Sequence, residues 1–125
     1  MTDNEITYKI RGAIYKVYNT FGPGLLESVY EAALCHQLRK EGLTVENQVK
    51  LDVMYDNVVL PVDFRLDILV EKSVIIELKS VEELKPVHHK QLLTYLRIAK
   101  KHVGILVNFN TDSIDDGIFR KVNGY

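Results

Sequence analysis

The strongest constraint on the fold is an apolar stretch, interrupted once, that ends in charged residues. Residues 66–70 are apolar apart from Asp67, residues 71–73 read Glu-Lys-Ser, and Val-Ile-Ile follows at residues 74–76. Short apolar runs bounded by turn residues are typical of strands that are covered on both faces. We therefore predict a β-hairpin at the centre of a sheet that is covered on both sides.

The register of this hairpin brings acidic side chains together. If residues 71–73 form the loop, counting back from it places Asp67 opposite Glu77, and Lys79 shares a face with Glu77. Opposed carboxylates in a sheet repel each other, and a divalent cation bound between them removes that cost. We predict a metal site here, with Lys79 close to a water or a phosphate. The alternative is a salt-bridged sheet end, with Asp67 paired to Arg65 and Glu77 to Lys79.

The rest of the chain predicts helices on both sides of a mixed sheet. A capping box at Thr2 and Glu5 opens the first helix, and the break at residues 19–24 separates it from a second helix, so the two form a hairpin. Pro86 is well placed to open a third helix. The predicted order is α-α-β-β-β-α-β-α, with helices at 2–18, about 25–42, 86–99 and 113–122 and strands at 44–55, 58–70, 74–79 and 102–107.

Composition limits the classes of function. With 125 residues, of which 46% are hydrophobic and 26% charged, the sequence predicts one globular domain over residues 1–125. The net charge of −1 gives no overall attraction to nucleic acid, so phosphate binding would need a local patch or a metal. A single cysteine, Cys35, and the lack of a secretion-type N-terminus or a long apolar run predict a cytoplasmic protein without a membrane span.

Two motifs give a family resemblance. Residues 24–30, Gly-Leu-Leu-Glu-Ser-Val-Tyr, match the signature of the GxxExxY protein family, and Asp67 followed by Glu77-Leu78-Lys79 resembles the D-(x)n-ExK core of the PD-(D/E)XK nuclease-like superfamily. Later blocks at residues 88–96, 104–109 and 117–120 extend the resemblance over nearly the whole chain. The proline of the superfamily name is absent, because Leu66 precedes Asp67.

The resemblance implies a restriction-endonuclease-like α/β core, a central mixed sheet flanked by helices and preceded by the helical hairpin. It also implies hydrolysis of phosphodiester bonds, in DNA or another nucleic acid, by a water activated by Mg²⁺ or Mn²⁺. By the same resemblance Lys79 orients the water and Gln91 approaches from the third helix as further catalytic residues. The implied metal ligands are Asp67, Glu77, the Leu78 carbonyl and Glu27.

Helical spacing adds candidate substrate contacts. His88, Gln91 and Tyr95 share one face of the third helix, and Tyr30 shares a face with Glu27 on the second. Lys90 belongs to the only locally basic region, which could guide a phosphate backbone. Two other functions stay open at this point: a catalytically silent nuclease-fold module that binds nucleic acid or a protein partner, and a homodimer that binds no ligand.

Overall fold

The computed structural model describes residues 1–124 and shows a mixed five-stranded sheet between two layers of helix. Tyr125, the last residue of the predicted domain 1–125, lies outside the described residues. None of the described helices combines the length and the apolar character that a bilayer crossing requires. The elements in chain order are α1 (Asp3–Phe21), α2 (Glu27–Lys40), β1 (Val45–Lys50), β2 (Met54–Tyr55), β3 (Val58–Val59), β4 (Arg65–Val70), β5 (Val74–Lys79), α3 (Pro86–Ala99), β6 (Val103–Asn108), a 3-10 turn (Ile114–Gly117) and β7 (Ile118–Val122).

The sheet is built around the predicted hairpin. Its strand order is β1-β4-β5-β6-β7; β5 and β6 are parallel and every other pair is antiparallel. Val70 pairs with Val74, which confirms the three-residue loop. Glu71 and Lys72 adopt positive φ angles of 52° and 53°, and the Ser73 amide donates to the Val70 carbonyl at 3.0 Å. This tight turn fixes the register of the two strands.

Helices cover both faces of the sheet, as predicted. The larger core joins α1 and α2 to one face, and the smaller core joins Leu92 and Leu96 of α3 to the other. Ile75 belongs to the α3 core. Because side chains two residues apart on a strand share a face, Glu77 and Lys79 also face α3.

The C-terminal segment differs from the prediction. Residues 113–122 were predicted as a helix, but they form the 3-10 turn and then β7, which pairs antiparallel with β6. Without β7 the buried strand β6 would be an unpaired edge, so sheet pairing outweighs the weak helical pattern. Gly117 permits the close approach, since a Cβ there would lie 2.5 Å from the Asn108 carbonyl oxygen. Ile118 is buried in the larger core.

The two long strands predicted at 44–55 and 58–70 are each interrupted. Gln48 has a positive φ of 51°, β1 ends at Lys50, and the chain resumes as a separate two-stranded sheet of β2 and β3. The predicted turn at Asp56 and Asn57 closes this small hairpin, with φ angles of 55° and 62°. The hairpin lies outside the main sheet.

Candidate active site

The two predicted acidic residues meet where β4 and β5 separate. The described pairing of these strands stops at Ile68 and Ile76, one position before Asp67 and Glu77. The Asp67 carboxylate accepts a hydrogen bond from the Leu78 amide at 2.9 Å, and the Glu77 carboxylate accepts one from the Asp67 amide at 3.4 Å. Each carboxylate therefore bonds to the backbone of the opposite strand, and the strand register predicted from the loop length is confirmed.

Burial makes this pair electrostatically unusual. Glu77 is only 6% exposed. Burial raises the pKa of its carboxyl from 4.5 to about 8, the negative charge of Asp67 adds to the rise, and the nearby Lys79 ammonium opposes it. Glu77 therefore holds a proton at neutral pH when no cation is present.

The alternative of a salt-bridged sheet end required Arg65 to pair with Asp67, and Arg65 pairs with a different residue. Arg65 forms its ion pair with Asp63, at 2.9 Å, and both side chains lie at the surface. Asp67 forms no ion pair with Arg65 among the described residues, whose ion pairs lie elsewhere. The acidic pair is thus left without an arginine partner.

The pKa of Glu77 predicts a pH dependence of stability. Because its folded pKa of about 8 lies above the ordinary 4.5, the folded state binds more protons between these values, and stability falls as the pH rises through this window. Glu77→Gln removes the titrating group. We expect the melting temperature of the metal-free wild type to fall relative to that of Glu77→Gln between about pH 5 and pH 8, as measured by calorimetry with a chelator. Parallel curves for the two proteins would contradict the assignment.

The donor set around the pair suits a hard divalent cation. The N–H and C=O of one strand residue point to the same side, so the Leu78 carbonyl lies on the β4 side, where its amide bonds Asp67. Two carboxylates and one carbonyl are oxygen ligands of the kind that Mg²⁺ and Mn²⁺ prefer. Lys79 is half-buried, two residues after Glu77 on the same face. The residues present therefore fit the implied cation.

Glu27 is not brought into the pair. It lies at the start of α2, across the sheet from α3, and its carboxylate accepts from the Ser80 amide at 3.2 Å. The Ser80 hydroxyl in turn donates to the Leu25 carbonyl at 2.5 Å. Within residues 1–124, no group of three or more His, Cys, Asp or Glu side chains is arranged to hold a metal. In this structure Glu27 fastens the end of β5 and does not join the predicted ligands, because α2 packs on the opposite face.

Tyr30 also differs from its predicted role as a substrate contact. Its side chain is completely buried, and its ring stacks on Phe109 with centroids 4.4 Å apart. Its hydroxyl donates to the Gly22 carbonyl at 2.6 Å and accepts from the Leu25 amide at 3.1 Å. The structure therefore gives Tyr30 a packing role: it anchors the loop between α1 and α2.

Tyr95 is the α3 residue that approaches the acidic pair. Its ring packs edge-on against Phe64, with centroids 4.7 Å apart. Burial raises the pKa of its hydroxyl, and the charges of Glu77 and Asp67 raise it further. Tyr95 therefore lies within electrostatic reach of both carboxylates.

The other predicted contacts on α3 lie nearer its N-terminus. Gln91 is exposed and lies one turn before Tyr95 on the same face. His88 is half-buried, and its Nδ1 accepts from the Lys85 amide at 3.0 Å, which caps the helix. Lys90 is exposed. Their roles as substrate contacts remain predictions.

Comparison with protein-family models identifies the superfamily of the chain. A family model described as the PD-(D/E)XK nuclease superfamily matches residues 4–121, nearly all of the sequence. The chain belongs to the PD-(D/E)XK nuclease superfamily. The matched range includes the acidic pair and Lys79, and the mixed sheet flanked by helices is consistent with the fold of this superfamily. Searches of curated proteins and of solved structures each gave no significant match.

Sequence reasoning missed Asn108, which lies beside Lys79 on the neighbouring strand β6. The Asn108 side-chain oxygen accepts from the amides of Val81 and Asn110, and its nitrogen donates to the Val81 carbonyl at 2.9 Å. Asn108 thereby ties the loop after β5 to the end of β6, next to Lys79. A polar residue that ends an apolar strand was the available signal, the same one that drew attention to Glu77. Ser80, whose amide donates to the Glu27 carboxylate, is not marked by a sequence pattern of this kind.

Proposed function

We propose that this chain is a divalent-cation-dependent nuclease that hydrolyses phosphodiester bonds in nucleic acid, with DNA as the first candidate, and that it is a cytoplasmic member of the GxxExxY family. The observation that carries the proposal is the contact between Asp67 and the buried Glu77, with Lys79 on the same face. Ionising two buried carboxyl groups this close together is costly, and a site that binds a cation accounts for their proximity.

In this proposal Asp67, Glu77 and the Leu78 carbonyl would hold the cation. When bound, it would supply the charge that acidifies an attacking water and neutralises a phosphate oxygen. Because its raised pKa favours the protonated form in the free protein, Glu77 would release its proton to solvent when it binds a cation as a carboxylate. The cross-strand hydrogen bonds hold both carboxylates in place, so little ordering remains to be done when the ligand arrives.

The remaining residues act on the substrate. The Lys79 ammonium stabilises negative charge that develops on the phosphate and orients the water. Tyr95, near both carboxylates, offers a hydroxyl to the phosphodiester. Gln91, His88 and Lys90 contact the nucleic-acid backbone along the open face of α3. Glu27, through Ser80, holds the end of β5 and so keeps Lys79 in position.

A cleavage screen tests the proposal. Single- and double-stranded DNA and RNA are incubated with the protein and Mg²⁺ or Mn²⁺, and a chelator serves as the blank. We expect cleavage by the wild type, none by Glu77→Gln, and unchanged cleavage by Glu46→Gln, which removes an exposed carboxylate on β1. If the wild type binds nucleic acid and cation but cuts no substrate, the chain is a binding module and the nuclease proposal is wrong.

A further inference from the structure

The hairpin that lies outside the main sheet exposes an unusual amount of apolar surface. We call residues 51–64 the arm; it contains β2 and β3. A two-stranded hairpin is marginally stable by itself, and contiguous exposed apolar residues mark interaction surfaces. The exposed apolar side chains of the arm are Met54 (61%), Tyr55 (74%), Val58 (58%), Val59 (51%) and Val62 (49%).

The charge of the arm limits what it can bind. It carries Asp52, Asp56 and Asp63 and has no lysine or arginine. Asp63 pairs with Arg65, whereas Asp52 and Asp56 form no ion pair among the described residues. A surface with this charge repels the phosphates of nucleic acid. Its matching partner is an apolar groove with basic residues along its rim.

A groove of this kind lies on the outer side of α1. Gly12 has no side chain, and a Cβ built there meets no atom within 4 Å. Tyr8 and Tyr15 flank the gap, four residues before and three after, on the same helix face. The resulting groove has a volume of about 740 Å³. Three basic residues, Lys9, Arg11 and Lys16, and two acidic residues, Glu5 and Glu41, lie along it, so its lining carries a net charge of +1. Arg11 and Lys16 already face carboxylates, whereas Lys9 forms no ion pair among the described residues.

We propose that the arm of one copy of this chain docks in the α1 groove of a second copy, and that the second copy returns the same contact. Two arms and two grooves then form one isologous interface with two-fold symmetry. Tyr55, the most exposed of the apolar side chains named above for the arm, is the residue best suited to enter the gap at Gly12. Charge favours this groove, because Asp56 of the arm meets Lys9 at its rim.

A second group of exposed apolar residues is a less suitable acceptor because of its charge. That group occupies the loop between α1 and α2 and the start of α2, where residues 21–29 contain Glu27 and no lysine or arginine. It would therefore repel the acidic arm. Its exposed apolar members are Phe21, Leu25, Leu26 and Val29.

Filling the groove gives a test that misfolding cannot imitate. Gly12→Gln places a side chain in the gap, where a Cβ meets no atom within 4 Å, and raises helix propensity. Sedimentation velocity across a wide range of concentration should show a monomer–dimer equilibrium for the wild type and only monomer for Gly12→Gln. At dilutions where both are monomers, the melting temperature of Gly12→Gln should be higher. A wild type that stays monomeric at every concentration, or a Gly12→Gln protein that still dimerises, overturns the proposal.

Arm variants test the other half of the contact. Tyr55→Ser should weaken dimerisation at least about tenfold, as expected for an aromatic anchor, while Val87→Ser, at another exposed apolar site, should not. Asp56→Lys and Lys9→Glu should each weaken the dimer, and the double variant should restore it. Equal dimerisation by Tyr55→Ser and the wild type, or failure of the double variant to recover, would show that the arm does not meet this groove.

Discussion

Lys79→Ala is expected to lower the rate of cleavage by about 10²–10³-fold while divalent-cation affinity stays within a few fold of wild type. The structure supports this separation, because Lys79 faces the site next to Glu77 but offers no oxygen to a cation. Removing a group that acts only on charge developing in the transition state lowers the rate with little effect on ground-state binding. Loss of the neighbouring ammonium should even strengthen cation binding slightly.

Single-turnover cleavage measured beside calorimetric cation binding checks this result. Lys50→Ala is the matched control, since Lys50 is an exposed lysine on the edge strand β1. Equal cleavage rates for Lys79→Ala and wild type would remove Lys79 from the mechanism. Loss of cation binding in Lys79→Ala would mean that the side chain holds the site together and does not act on the reaction.

The centre of the fold was predictable because its constraints are local. A loop at residues 71–73 determines the strand register by counting, and that register alone placed Asp67 against Glu77. The capping oxygen of Thr2, which accepts from the Glu5 amide at 3.2 Å, and Pro86 at the start of α3 are likewise signals within one helical turn. Local chemistry of this kind leaves few alternatives.

The predictions failed where residues distant in the sequence determine the local structure. Residues 118–122 carry too little periodicity to show that β6 needs a partner, so β7 was predicted as helix. The spacing of Glu27 and Tyr30 shows that they share a helix face but not which sheet face α2 covers. Because α2 packs opposite α3, the Glu27 carboxylate accepts from the Ser80 amide, and Tyr30 is buried against Phe109.

The arm shows a third reason why prediction from the sequence was incomplete. Alternating residues at 44–55 and the turn at Asp56 and Asn57 were both visible in the sequence. Gln48 has a positive φ in the folded protein, and nothing about a glutamine in the sequence predicts this backbone conformation. Sequence therefore predicted the strands and the turn, but not that the hairpin leaves the sheet.

Cation binding should depend completely on Glu77, and it should release a proton. In the free protein the raised pKa of about 8 keeps Glu77 protonated at neutral pH, so a cation that binds both carboxylates must displace that proton. The bound cation stabilises the folded state by mass action, so the melting temperature should rise with Mg²⁺ or Mn²⁺. Glu77→Gln keeps the shape of the side chain but cannot supply a carboxylate, and it should lose both effects.

Titration calorimetry with millimolar Mn²⁺ at neutral pH, repeated in buffers of different ionisation enthalpy, measures binding and proton release together. The acidic-pair account predicts saturable binding by the wild type, a heat that varies with the buffer, proton release that declines as the pH rises through about 8, and no binding by Glu77→Gln. Absence of binding by the wild type, or equal binding by Glu77→Gln, would contradict the assignment of Asp67 and Glu77 as a metal site.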